Sequence, residues 1–312
     1  MTAMMKAIRQ QAYGPPEVLE LAEVPRPQPR PTEVLVQVRA CGLNPVDWKT
    51  RAGEGLDLPL PFIPGWDVSG VVVDVVPGVT RFRPGDEVFG MPRFPGVAGC
   101  YAEFVSARAR QLACKPQALS HVEAAGLPLA GLTAWQALVD TAQVSEGQRV
   151  LITAAGGGVG HLAVQVAKAR GAEVIALARA DKHAALRELG ADHVIDYTQV
   201  DPYRAVSDLD LVFDVHGGPD CLRWVPAIRP EGMLLPLTGV GPDVVDEAAR
   251  RGVRSTLLLV EPDGRGLESL AALADAGRLR VLVHEQLPLA RAAQAHRIGE
   301  QGRTLGKLVL TT

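Results

Sequence analysis

A short apolar strand that runs into a glycine-rich turn and out into a helix is the feature that most restricts this chain. Arg149 to Ala154 reads as the strand and Gly158 to Arg170 as the helix, with Leu162, Val166 and Ala169 on one face. Between them stands Ala154-Ala-Gly-Gly-Gly-Val-Gly160, spaced AxxGxxG rather than GxGxxG. Glycines in that setting let the backbone approach a pyrophosphate, and a helix N-terminus offers free N–H groups and the positive end of its dipole. A tight turn with no ligand is the plain alternative. Alternation continues downstream with a strand at Glu173 to Ala178, a helix at Lys182 to Leu189, and strands at His193 to Asp196, Leu209 to Val215, Met233 to Leu237 and Val253 to Val260. Such a pattern implies right-handed crossovers and a doubly wound parallel sheet, that is, an α/β domain of Rossmann type.

The preceding residues have another character. Strands at Val34 to Ala40, Val68 to Val76, Glu87 to Gly90 and Ala102 to Ser106 are separated by Pro and Gly clusters such as Pro25 to Pro31 and Pro59 to Gly65, which deny helix and enforce turns. This predicts a compact, mostly antiparallel β domain. Beyond Glu261 the sequence predicts helices at Gly264 to Ala276 and Leu289 to Gln301, then a strand at Lys307 to Leu310 able to return to the first domain's sheet. The expected organisation is a β domain of residues 1–121 completed by 262–312, with a dinucleotide-binding domain of residues 122–261 inserted in it. A chain of 312 residues exceeds what one hydrophobic core usually serves.

Composition narrows the partners. A hydrophobic fraction of 47% supplies core material throughout and excludes wholesale disorder. Lys and Arg number 32 against 35 for Asp and Glu, and aromatics are 4% of the chain, so the basic, aromatic-studded face of a nucleic-acid binder is not expected. No apolar run approaches the roughly 18 residues of a membrane span, and the start carries Lys6 and Arg9 with no apolar stretch behind them. A soluble, cytoplasmic protein without membrane partners is the expectation. Four cysteines, Cys41, Cys100, Cys114 and Cys221, stand singly and read as thiols rather than staples.

Charge at the end of the second strand selects the nucleotide. An acidic side chain there would hold a ribose 2′-hydroxyl. Instead Ile175 to Arg179 carries no acid, and Arg179 with Lys182 supplies two cations where a 2′-phosphate would sit. NADPH is favoured over NAD. Asp181 is the competing NAD reading, though it lies past the strand end and could equally cap the next helix.

With these residues in place the chain resembles the medium-chain dehydrogenase/reductase superfamily, in its zinc-free quinone oxidoreductase-like branch. The motifs are Cys41 to Lys49, Pro64-Gly-Trp-Asp67, Arg83 to Gly90, Leu127 to Trp135, the AxxGxxG turn and Gly306-Lys-Leu-Val-Leu310. The resemblance covers nearly the whole length and implies a GroES-like catalytic domain built from both chain ends, with the Rossmann domain inserted between them. In zinc alcohol dehydrogenases of the superfamily a Cys stands where Asn44 is, and a Gly-His-Glu where Gly65-Trp66-Asp67 is. A third ligand Cys would fall in Leu127 to Thr133, which contains none. Catalytic zinc needs three such ligands and an open position, so no metal site is expected. The resemblance implies NADPH-dependent reduction of quinones or α,β-unsaturated carbonyl compounds, with enoyl-thioester reduction and a silent NADPH-binding sensor as alternatives.

The same resemblance assigns roles. Asn44 would hydrogen-bond the quinone or enone oxygen, turn chemistry before Pro45 being its other explanation. Lys49 would donate a bond or proton to the enolate oxygen, solvent being the other source, and Thr133 would lie close to the nicotinamide. Asp47 and Asp67 would hold the pocket loops, pairing with Arg51 or Lys49. Gly157, Gly158, Val159 and Gly160 would line the pyrophosphate, and Arg179, Lys182 and Tyr197 the 2′-phosphate. Thr238 and Gly239 end a strand at the sheet's carboxyl edge, where ligands of open α/β sheets bind, and His216 stands at a second such end without an assigned role. A homodimer through Val253 to Val260 is the expected assembly.

Overall fold

A computed structural model describes residues 3–312. The chain divides into two compact units. One comprises the chain up to Leu132 together with Glu261–Gly277 and Val281–Thr312, the other Thr133–Val260 and Arg278–Arg280.

In the first unit a seven-stranded sheet is built around the long strand Glu33–Gly42, which pairs antiparallel with Val68–Val75 and with Phe104–Arg108. Its far end takes the C-terminal strand Lys307–Thr311, Leu310 lying opposite Cys41 and Val309 opposite Gly42. Val34, Val36, Val38, Val68, Val72 and Val88 fill the core of this sheet, and Glu33 and Leu35 on the other face of the long strand are buried as well. A hairpin of Met4–Gln10 and Leu19–Pro25 forms a separate two-stranded sheet.

The boundary between units falls at Leu132, eleven residues beyond His121. The short helix His121–Ala125 explains the difference, because Ala125 packs with Ala40 and Val309 of the β sheet.

In the second unit six strands pair in parallel, in the order His193–Ile195, Glu173–Leu177, Arg149–Ile152, Leu209–Asp214, Ile228–Pro236, Arg254–Ser255. The order reverses between Arg149–Ile152 and Leu209–Asp214, which makes the gap beyond their carboxyl ends the ligand-binding crevice of such sheets. Thr153 ties the two strands there: its Oγ1 donates to Asp214 Oδ1 at 2.8 Å and accepts the N–H of Val215 at 2.9 Å.

The strand expected over Val253 to Val260 is only Arg254–Ser255. Its neighbour ends at Pro236, which has no N–H to continue the ladder, and Leu257 and Leu259 stand 60% and 64% exposed. Four α-helices among the described residues are not placed by the sequence, Pro45–Ala52, His121–Ala125, Pro128–Trp135 and Pro242–Arg250; three of them open on a proline, which suits the first helical position as well as it suits a turn. Among the described residues no helix is long and apolar enough to cross a membrane.

Candidate active site

The catalytic candidates of the first unit grow from the end of strand Glu33–Gly42. Asn44 is the N-cap of helix Pro45–Ala52 rather than part of an isolated turn, and Asp47 Oδ2 accepts its backbone N–H at 2.6 Å. The side chain of Asn44 is taken up elsewhere: Nδ2 donates to Asp67 Oδ2 at 2.8 Å, and Oδ1 accepts from Lys307 Nζ. Lys307 also donates to the carbonyl of Leu43 and stands 3.7 Å from Asp67 Oδ2, while Asp67 Oδ1 accepts the N–H of Leu129 at 2.8 Å. Asn44, Asp47, Asp67 and Lys307 are all buried.

Burial dominates the electrostatics of this cluster. It pushes Asp47 up to about 8, assisted by the charge of Asp67 and opposed by the Asn44 N–H and by Lys307. It raises Asp67, against the pull of Lys307 and Asn44, and lowers Lys307, against the pull of Asp67 and Asp47. Beside them Tyr101 Oη lies 3.3 Å from Nε2 of His296, a histidine that burial pushes down to about 3. Gly65 has φ of 91°, and a Cβ there would lie 2.2 Å from the Tyr101 ring, so this position of the Pro64-Gly-Trp-Asp67 motif admits only glycine.

The expected pairing of Asp47 and Asp67 with Arg51 or Lys49 does not form. Arg51 reaches away to Glu300 at 2.7 Å and to the carbonyl of Gly14. Lys49 is exposed near the end of helix Pro45–Ala52, five residues and well over a turn from Asn44. Thr133 lies buried inside helix Pro128–Trp135 and belongs to the second unit.

The nucleotide candidates collect at the crevice of the parallel sheet. Helix Gly160–Ala169 begins two residues later than the sequence suggested. Gly157 N donates back to Ala154 O at 2.8 Å, and the N–H groups of Gly158, Val159 and Gly160 have no backbone partner among the described residues. A Cβ on Gly160 would lie 2.4 Å from the Ala154 carbonyl, so the helix can start this close to the strand only on glycine. Strain sits at the same place, Ala154 having φ of 46°. The Lys182 side chain lies across Gly156, where a Cβ would meet its Cδ at 2.4 Å, and its half-burial lowers its pKa. Arg179 is exposed and donates from Nε to Tyr197 Oη at 3.2 Å. Asp181 lies in the turn Ala180–Lys182 and does not cap the following helix, whose N-cap is Lys182. Thr238 Oγ1 donates to the carbonyl of His216 at 2.6 Å, Gly239 is open, and the His216 side chain is exposed. Unpaired N–H groups at a helix start, a glycine cradle and nearby cations fit a dinucleotide.

Reading the sequence did not find Lys307, Tyr101 and His296 as site residues. Lys307 was quoted within Gly306-Lys-Leu-Val-Leu310, yet a lysine opening an apolar strand gave no sign that its ammonium is buried.

Residues 30–117 match the family described as alcohol dehydrogenase GroES-like domain, and residues 189–310 the family described as zinc-binding dehydrogenase. The chloroplast envelope quinone oxidoreductase homolog of Arabidopsis thaliana is 34% identical, with 98% of each chain covered. The chloroplastic NADPH-dependent alkenal/one oxidoreductase of the same plant is 36% identical over 98% of this chain and 79% of the relative. The solved structure of the quinone oxidoreductase from Coxiella burnetii superposes with a TM-score of 0.92 at 36% identity, covering 99% of this chain and 100% of the other. One of the two family descriptions names zinc. The donor set here does not fit it: among the described residues no three His, Cys, Asp or Glu side chains group as metal ligands, and Asn44 and Asp67 share the ammonium of Lys307 instead.

Proposed function

Because the chain belongs to the medium-chain dehydrogenase/reductase superfamily, in its quinone oxidoreductase-like branch, and is thereby an NAD(P)H-dependent oxidoreductase, we propose that it uses NADPH to reduce quinones or α,β-unsaturated carbonyl compounds without zinc. The observation that carries this reading is the crevice end of the parallel sheet, where the N–H groups of Gly158, Val159 and Gly160 are unpaired and Lys182 lies across Gly156.

When bound, NADPH supplies a hydride. The N–H groups of Gly158, Val159 and Gly160, with Gly157, bind the pyrophosphate, and the guanidinium of Arg179 with Lys182 and the Tyr197 hydroxyl holds the 2′-phosphate. Thr238 and Gly239 line the carboxyl edge of the sheet, and Thr133 would meet the nicotinamide. In the first unit Asn44 donates an N–H to the acceptor oxygen. Addition to a conjugated system spreads the incoming negative charge, so hydrogen bonds without a Lewis acid stabilise the enolate or quinol oxygen. Lys49 or solvent then supplies the proton that completes the reduction.

The proposal includes a cytoplasmic homodimer that covers Leu257 and Leu259, and a monomer by light scattering at assay concentration rules the dimer out. The main test is stopped-flow oxidation of NADPH by a panel of quinones and enones, for which turnover above background is expected. Arg179→Ala with Lys182→Ala should weaken NADPH by about 10- to 100-fold, the loss of one or two charge-assisted bonds, and NADH by much less. Equal losses for both nucleotides would reject the 2′-phosphate assignment.

A further inference from the structure

Lys307 is 2% exposed and stands 263 residues from Asn44, yet its Nζ touches that residue's amide oxygen, the Leu43 carbonyl and the neighbourhood of Asp67. Two oxygens accept hydrogen bonds from this Nζ, and the Asp67 carboxylate at 3.7 Å adds an ion pair. Asp67 in turn holds the amide nitrogen of Asn44 and is itself fixed by the Leu129 N–H. A buried ion pair of this kind is weak evidence for stability, since apolar residues of the same volume commonly serve as well. Its geometry does something a methionine would not. Turning the Asn44 amide by 180° would set its NH₂ against the ammonium and its oxygen against the carboxylate, so only one of the two near-isosteric orientations is allowed.

We propose that Lys307, with Asp67, is a positioning residue for the reduction, locking the Asn44 amide so that it offers an N–H and not its oxygen to the acceptor. The inference rests on the reading of Asn44 as the group that meets the acceptor oxygen. It also names the substrate preference the lock enforces: a hydrogen-bond acceptor such as a quinone or enone oxygen, rather than a hydroxyl donor. The cation polarises the amide in the same sense, drawing electron density toward Oδ1 and making the Nδ2 hydrogens stronger donors to a developing enolate.

The test uses Lys307→Met with Asp67→Asn, which removes both charges together and so avoids an orphaned carboxylate. This pair is compared with Asn44→Ala, the triple variant and the unaltered protein, measuring kcat and KM for an enone at saturating NADPH. The pair is expected to lower kcat about 100- to 1,000-fold, the scale of losing one oxyanion donor. Adding Asn44→Ala to it should cost less than about 2-fold more, as for residues acting through one another. Effects that multiply in the triple variant would overturn the proposal. A second readout is the side-chain NH₂ signal of Asn44 in protein labelled at asparagine, expected to lose its protection from exchange in the pair; unchanged protection overturns the lock whatever the turnover. If the unaltered protein reduces no quinone or enone, the functional reading fails by itself, and the exchange measurement still decides the lock.

Discussion

The two candidate sites, one in each unit, treat polar groups in opposite ways. Around Asn44 the side chains of Asn44, Asp67 and Lys307 bond to one another while buried. At the glycine turn three backbone N–H groups stay unpaired, and Arg179 with Tyr197 stays exposed. A closed network fixes geometry at the cost of desolvation, whereas an open one waits for a ligand to complete it. Damage to the first should therefore appear as lost stability and misoriented chemistry, and damage to the second chiefly as lost binding.

The largest break in that contrast is Lys307→Met alone. It leaves the Asp67 carboxylate buried and unpaired, and a loss of about 3–5 kcal/mol is expected, read from chemical denaturation. Loss below about 1 kcal/mol would mean that Asp67 simply takes up a proton. Next comes Gly160→Ala, whose Cβ would press on the Ala154 carbonyl. Overpacking of this kind costs about 1–3 kcal/mol, and titration of NADPH should show binding weakened more than the fold is. Equal weakening of both would place the turn with the structural half.

The pH dependence gives smaller effects, at most about 1.4 kcal/mol per pH unit for one group. Asp47, held up at about 8 when folded, binds its proton more tightly than the unfolded chain does. Its contribution therefore falls as pH rises from its ordinary value of 3.8 to about 8. Asp47→Asn should flatten that decline, which shows in the unaltered protein between about 6.5 and 8. His296, pushed down from 6.5 to about 3, works the other way: stability present above 6.5 is lost as pH falls toward 3. The two wild-type slopes should nearly cancel between about 4 and 6.5, so His296→Gln should flatten the limb between about 3 and 4 and expose the Asp47 decline above it. Denaturation midpoints across pH 3–9 in roughly unit steps check both signs; an alkaline limb unchanged in Asp47→Asn would remove that carboxyl from the account.

Legibility in the sequence follows the same contrast. The glycine turn, the strand before it and the cations after it lie within about 30 residues of one another, and strand–helix periodicity supplies their context. The over-read strand Val253 to Val260 shows the limit of that method. Its apolar residues suit a ladder, but the ladder ends because the neighbouring strand ends at Pro236, and pairing is a property of two segments. Asn44, Asp47 and Asp67 stand out from their motifs, whereas Lys307 does not. Arg51 and Lys49 lie nearest to Asp47 in sequence, yet the strand pairing of Lys307–Thr311 with Glu33–Gly42 delivers a lysine from the other end of the chain.

The sequence by itself determined the parallel α/β sheet, its phosphate-type turn and the choice between acid and cation at the second strand's end, because each depends on neighbours along the chain. Only the tertiary structure decided that Asn44 is locked between an ammonium and a carboxylate. That state depends on desolvating charges from three separate segments at one point, and burial is not written in the spacing of any one of them.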